Sequence, residues 1–143
     1  MRSLVYRLVK KIADKKAVDA LIPILKEDDD AARFYAARAL GNIGSQQAVK
    51  ALAEALNDRD YSVRYIAAKA LINIGGALAM DALIDALKNG DGSTREIAAN
   101  ALGDSKNQCV VSVLVTAEKD SCEAVRKAAR KSLEKMKSTE WST

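Results

Sequence analysis

An all-α solenoid is predicted by three features of the sequence: a 31-residue repeat, apolar spacings of three and four within each repeat, and sparse turn residues. The repeat is the strongest of these. Arg33, Arg64, Arg95 and Arg126 stand 31 residues apart, as do Ala36, Ala67, Ala98 and Ala129, and Leu40, Leu71, Leu102 and Leu133. One Pro and seven Gly punctuate 143 residues, and aromatics make up 4%, which favours helices with short turns over a many-turned β fold. Apolar residues at 49% are enough to bury a core.

Taken in order, the chain opens inside a degenerate unit whose Arg2, Val5, Val9 and Ile12 fall in the columns of the later units. A second apolar column follows in each period: Val18, Leu21 and Leu25, then Val49, Leu52 and Leu56, then Met80, Leu83 and Leu87. In the fourth unit Val111 and Leu114 hold this column, but Glu118 takes its third place. The Val-rich run 109–117 would read as a strand in isolation; register with three neighbouring helices makes it a helix. Nine helices in pairs are therefore expected. They form one domain over 1–138, with units at about 1–27, 28–58, 59–89, 90–120 and 121–138, and a tail at 139–143 that carries Trp141.

The turns repeat as well. Gly44 and Gly75 end the first helix of their units, where a positive φ suits a residue without Cβ. Asp29, Asp60 and Asp91 stand four residues before Arg33, Arg64 and Arg95, placed to cap the helix that follows. No pair can bury its apolar stripe alone, so stacking creates the core.

The motif DYSVRYIAAKALINIG followed by AMDALIDAL resembles the short HEAT-type repeat of phycobilin lyases, over roughly residues 2–137. The resemblance implies a right-handed α-α superhelix of about four to five helix pairs, with ligands held on the inner face by the helices carrying VR-x-x-AA. It also implies that Arg33, Arg64 and Arg95 pair with Asp29, Asp60 and Asp91 between adjacent units, a structural ladder. By that scheme Cys122, standing where the Asp should be, removes one link. Ser105 stands where Ile43 and Ile74 are expected to be buried, so this end of the stack should be softer. Related deoxyhypusine hydroxylases hold a di-iron site through His–Glu pairs; with no His in the chain, that activity is excluded.

At 100° per residue, the arc of the first helices opposite the core carries Phe34, Tyr35, Arg38 and Asn42, then Tyr65, Ile66, Lys69 and Asn73. Tyr61 lies just before the second of these helices. The next arcs hold Glu96, Ile97, Asn100 and Asp104, then Lys127, Lys131 and Lys135. Four of the six aromatics thus lie on or beside an outward arc, although large aromatics are normally spent on the core. Phe34, Tyr35, Arg38, Tyr61, Tyr65, Ile66, Lys69, Asn73, Ile97 and Asn100 are the candidate partner-binding residues, rigid anchors beside directional donors. The competing reading is that the aromatics pack on one another and stabilise the stack.

Other chemistries find little support. Without His there is no imidazole acid–base chemistry, Cys109 and Cys122 match no metal or redox spacing, and no Gly-rich phosphate loop occurs. No catalytic residue, metal or cofactor is expected. The thiols are expected to be free and buried or half-buried, which fits a reducing, cytoplasmic setting. The run Asp28-Asp29-Asp30 reads as helix-start carboxylates rather than a cation site. Residues 1–26 carry +5, residues 27–60 carry −3, 61–120 carry −1 and 121–143 carry +3. Two basic ends around a mildly acidic middle disfavour nucleic acid, which asks for a continuous basic stripe. No apolar run reaches about 18 residues, so no membrane partner is expected. Leu4 and Leu8 fall outside the core arc of the first helix, with no preceding unit to cover them. Concentration-dependent self-association through this end is expected, or membership of a longer array. The preferred function is a non-enzymatic scaffold that holds a protein or peptide on its inner face; the alternative is a phycobilin-lyase-like chromophore chaperone.

Overall fold

The computed structural model describes residues 2–140, with side chains for 4–138. Trp141 lies outside the described residues. The described residues form eight α-helices and two short 3₁₀ turns, with no strand. In order these are α1 (Arg2–Ile24), α2 (Asp30–Ile43), α3 (Val49–Ala55), α4 (Tyr61–Ile74), α5 (Gly76–Asn89), α6 (Gly92–Gly103), α7 (Val111–Ala117) and α8 (Glu123–Glu140). The 3₁₀ turns, Gln46–Ala48 and Gln108–Val110, lead into α3 and α7. The Val-rich segment is helical, since packing in register decides its conformation over local propensity.

The helices stack as an α-α solenoid in two layers. α2, α4, α6 and α8 pack side by side; α3 packs against α5 behind them, and α5 and α7 close onto α6 and α8. Two leucine columns run through the junction of the layers, Leu40, Leu71 and Leu102 from one and Leu52, Leu83 and Leu114 from the other, all completely buried. Each fully buried leucine contributes roughly 1.5–3 kcal/mol of burial free energy, so these columns are the main source of stacking.

The first unit departs from the pair pattern. Its two expected helices are fused into α1, because Ala13 stands 31 residues before Gly44 and supplies no helix stop. Val18 and Leu25 are buried where α1 meets the stack, whereas Val5, Val9 and Ile12 are exposed rather than in the core columns. Their column is right in register, but the straight helix carries them past the stack.

The turns have the expected chemistry at two positions. Gly44 and Gly75 adopt φ of 77° and 70°. Lys106, the next residue at this interval, takes a φ of 56°, a left-handed conformation that costs a side-chain-bearing residue roughly 1–2 kcal/mol.

Candidate functional site

The outward surface of the α2, α4, α6, α8 layer carries the expected aromatics, though not all as expected. Tyr35, Tyr61 and Tyr65 are exposed, together with Arg38, Lys69, Asn73 and Asn100. Phe34 and Ile66 are half-buried, and Ile97 is only 3% exposed. Ile97 was expected on the open arc; α8 closes over that side of α6 and turns it into a floor residue. Phe34 and Tyr35 meet edge to face with ring centroids 5.4 Å apart. Lys69 Nζ lies 5.4 Å from the Tyr65 ring centre, a cation–π contact.

A cleft of about 290 Å³ opens on this surface. α4 supplies Tyr65, Ala68 and Lys69; α6 supplies Ile97, Asn100, Ala101 and Asp104; α8 supplies Lys131, Ser132 and Lys135. The floor is apolar and small, and the rim is polar, with three lysines and one aspartate. Lys135 is held by an ion pair to Asp104 across the rim. The structure thus centres the concavity one unit downstream of the aromatic cluster, so that Tyr35, Arg38 and Tyr61 flank it rather than line it. Lys131 and Lys135 were not among the candidate binding residues. Their signal lay in the columns Arg38, Lys69, Asn100, Lys131 and Asn42, Asn73, Asp104, Lys135, which the 31-residue period puts on one surface.

The cleft sits where the stack is loosest. Gly41 of α2 lies against Ala70 of α4, so closely that a Cβ on Gly41 would fall 2.7 Å from the Ala70 Cα. Gly103 of α6 lies likewise against Ser132 of α8, where an added Cβ would fall 2.9 Å from the Ser132 Cα. Ser132 is buried, and its hydroxyl donates to the Ala99 carbonyl at 2.7 Å. Between these two glycines the same column holds Ile72. α4 and α6 touch over less of their length than either neighbouring pair.

The arginine ladder differs from the one implied by resemblance. Asp29, Asp60 and Asp91 do not pair with Arg33, Arg64 and Arg95. Each caps its own helix: Asp29 accepts from the Ala31 N–H at 2.9 Å, Asp60 from Val63 at 3.1 Å and Asp91 from Thr94 at 2.8 Å. The arginines reach the turn 25 residues downstream instead. Arg33 donates through Nε and Nη2 to Asp58, at 2.9 and 3.1 Å, and through Nη1 to the Glu27 and Asp28 carbonyls. Arg95 repeats this fork on Asp120, with both distances 3.0 Å, so Cys122 removes no link.

The missing link belongs to Arg64. At its 25-residue interval stands Asn89, whose side chain instead donates to Asp85. Arg64 donates to the Asp58 carbonyl and to the Ser93 hydroxyl, its Nε has no hydrogen-bond partner, and its guanidinium lies 5.6 Å from the Tyr61 ring centre. The α4–α6 junction therefore lacks both the glycine and the ion pair that tighten its neighbours.

Charge states follow this geometry. Burial pushes the Asp58 carboxyl up, but hydrogen bonds from Arg33 and the Asp60 N–H outweigh it and hold it below the ordinary carboxylate value. The Arg95 hydrogen bonds hold Asp120 down against a smaller burial effect. Among the described residues no set of three His, Cys, Asp or Glu side chains converges as metal ligands. Cys109, the middle residue of the 3₁₀ turn Gln108–Val110, is exposed rather than buried, and Cys122 is half-buried; both are free thiols. Ser105, Ile43 and Ile74 are all half-buried, and the Ser105 hydroxyl donates to the Leu102 carbonyl. No helix among the described residues is long and apolar enough to cross a membrane.

Solved structures share this architecture. The chain is similar to human deoxyhypusine hydroxylase in complex with glycerol at a TM-score of 0.82 and 21% identity, covering 92% of this chain and 47% of that one. It is similar to the CpcE–CpcF complex of phycocyanin lyase from Nostoc sp. PCC7120 at a TM-score of 0.54 and 21% identity, covering 85% and 65%. An engineered protein matches at a TM-score of 0.53 and 29% identity, covering 91% and 66%. The chain spans about half to two thirds of the length of these structures. At these identities the likeness is one of fold. No curated protein matches the chain. The family described as HEAT repeats matches over residues 1–72, 18–95 and 80–141. With the period, the two leucine columns and the layered stack, these matches mean that the chain belongs to the HEAT-repeat family.

Proposed function

We propose that this chain is a non-enzymatic scaffold that binds a protein or peptide segment on the surface of α2, α4, α6 and α8. The observation that carries the reading is the conjunction on one face of exposed Tyr35, Tyr61 and Tyr65 with a cleft whose floor is apolar and whose rim bears Lys69 and Lys131. Exposed aromatics beside an apolar socket are what an interface core needs, and lysines and asparagines supply a polar rim. Helices rather than loops carry these groups, so less conformational freedom is lost on binding. At about 290 Å³ the cleft stands at the lower limit of small-molecule pockets, roughly 300–1,000 Å³. It suits one or two anchoring side chains of a larger partner.

A chromophore-chaperone role is the second reading, supported by the fold likeness to the phycocyanin lyase pair. The two readings separate by experiment. Wild type and a Tyr35→Ala/Tyr65→Ala/Lys69→Glu variant serve as parallel baits in the native lysate. A protein retained only by wild type supports the scaffold, and identical retention by both baits counts against this face. Titration with a free bilin tests the second reading through its visible absorption, which shifts on specific binding and stays unchanged otherwise.

A further inference from the structure

One exposed column on the α2, α4, α6, α8 surface carries cations that the chain itself does not neutralise. Arg38, Lys69, Asn100 and Lys131 stand 31 residues apart, one on each helix, and all four are exposed. Arg38, Lys69 and Lys131 have no ion-pair partner among the described residues, whereas Lys127 and Lys135 on the same surface are paired with Glu123 and Asp104. Lys69 lies over the Tyr65 ring, and Lys131 shares the cleft with it. The layer behind differs: α3, α5 and α7 carry Lys50 and Lys88 against Glu54, Asp81 and Asp85. Unpaired positive charge thus gathers on the face that also exposes Tyr35 and Tyr65.

We propose that the occupant of this face is an acidic peptide segment in polyproline II conformation, crossing the four helices; the inference rests on the scaffold reading above. Its spacing comes from two regular geometries. Packed helices lie roughly 8–10 Å apart. A polyproline II chain rises about 3.1 Å per residue with three residues per turn, so every third side chain returns to one face about 9 Å further on. A β-strand returns side chains to one face at about 7 or 13 Å and misses that interval. Carboxylates at the first, fourth and tenth positions then meet Arg38, Lys69 and Lys131. The seventh position meets neutral Asn100 and the apolar floor of Ile97 and Ala101, where an apolar side chain fits. Exposed tyrosines beside the column suit this backbone, which docks on aromatic-lined surfaces. A phosphodiester chain fits less well, since its charge recurs at every residue and would meet Asn100 and Asp104 in the middle of the face.

The probe is a fluorescein-labelled peptide with blocked ends, EPPEPPLPPE, used also in reversed order, with binding read by fluorescence anisotropy. Saturable binding is expected in one order, weakened at least roughly tenfold by replacing each Glu with Gln and by Lys69→Glu/Lys131→Glu. Lys69 and Lys131 are exposed, so circular dichroism should be unchanged, and Lys88→Glu on the opposite layer should leave binding as it was. Equal binding of the Glu and Gln peptides overturns the acidic selection; if Tyr35→Ala/Tyr65→Ala then abolishes it, the scaffold reading stands without it. Equal binding after every Pro is replaced by Ala overturns the backbone conformation. A short oligothymidylate with the same three charges that binds as tightly overturns the peptide assignment. No binding in either order up to several hundred micromolar overturns the proposal, while retention of a lysate protein by wild type alone would still uphold the scaffold.

Discussion

The α2–α4 and α6–α8 junctions are tight, and the α4–α6 junction between them is not, although all three come from one repeat. Each tight junction has a glycine in the contact column, Gly41 or Gly103, and belongs to a unit whose arginine forks onto a carboxylate in the following turn, Asp58 or Asp120. The loose one has Ile72 and Asn89 at those places. There the layer opens into a cleft that runs from α4 over α6 to α8, with Tyr65, Lys69 and Asn100 around it. The comparison teaches that departures from the column consensus at one interface of a repeat protein can coincide with an opening in its surface.

The largest effect should come from breaking a tight junction at its ion pair. Asp58→Ala strands the buried Arg33 guanidinium and is expected to cost about 3–5 kcal/mol in denaturant unfolding. Arg64→Met at the loose junction, where no carboxylate is left behind, should cost far less; equal losses would remove the distinction between junctions. The same pairs set the acid limit. Asp58 and Asp120 titrate below their ordinary value of 3.8 when folded, so the unfolded chain binds more protons in acid. Their stabilisation is complete above about pH 5 and is lost as pH falls through the folded values. An Asp58→Asn/Asp120→Asn variant, less stable at neutral pH, should lose less further stability on acidification than wild type, as unfolding curves at a series of pH values would show.

Next in size is the glycine contact. Gly103→Ala drives a methyl group into Ser132 and should cost about 1–3 kcal/mol, with Gly41→Ala in the same range against Ala70. A neutral result at either site would mean that the helices separate freely. Asn89→Asp sharpens the comparison from the other side. It gives Arg64 the carboxylate it lacks but loses the hydrogen bond to Asp85 one turn away, so it is combined with Asp85→Asn; the double variant should stabilise by up to about 1 kcal/mol, seen as a higher denaturant midpoint at unchanged slope. The smallest change is Lys106→Gly, which relieves the left-handed backbone that Gly44 and Gly75 adopt without strain. A gain of about 0.5–1 kcal/mol is expected in thermal unfolding.

The candidate site was legible only in part. The aromatic arc follows from helical phase alone, and Tyr35, Tyr61 and Tyr65 are exposed as that phase requires. Ile97 sits at the same phase as Ile66 but is covered, because burial depends on how closely the next helix approaches. Lys131 and Lys135 share columns with Arg38 and Asn73, yet their place on the cleft depends on α8 folding against α6. Similarly, two columns of the 31-residue period carry acids, one through Asp29, Asp60 and Asp91 and one through Glu27, Asp58 and Asp120, with Asn89 in the place between the last two. Periodicity does not choose between them as partners for the arginines.

By itself the sequence determined the helical phase, the 31-residue period, the two leucine columns and the capping carboxylates, because these depend on the covalent geometry of a helix and on groups within a turn of one another. The tertiary structure decided which carboxylate each arginine meets and where the layer opens. Those outcomes depend on the distance between neighbouring helices, set by the side chains of two segments at once, such as Gly41 on Ala70 or Gly103 on Ser132. A column read along one chain records each side chain separately; contact between two of them exists only after the stack has closed.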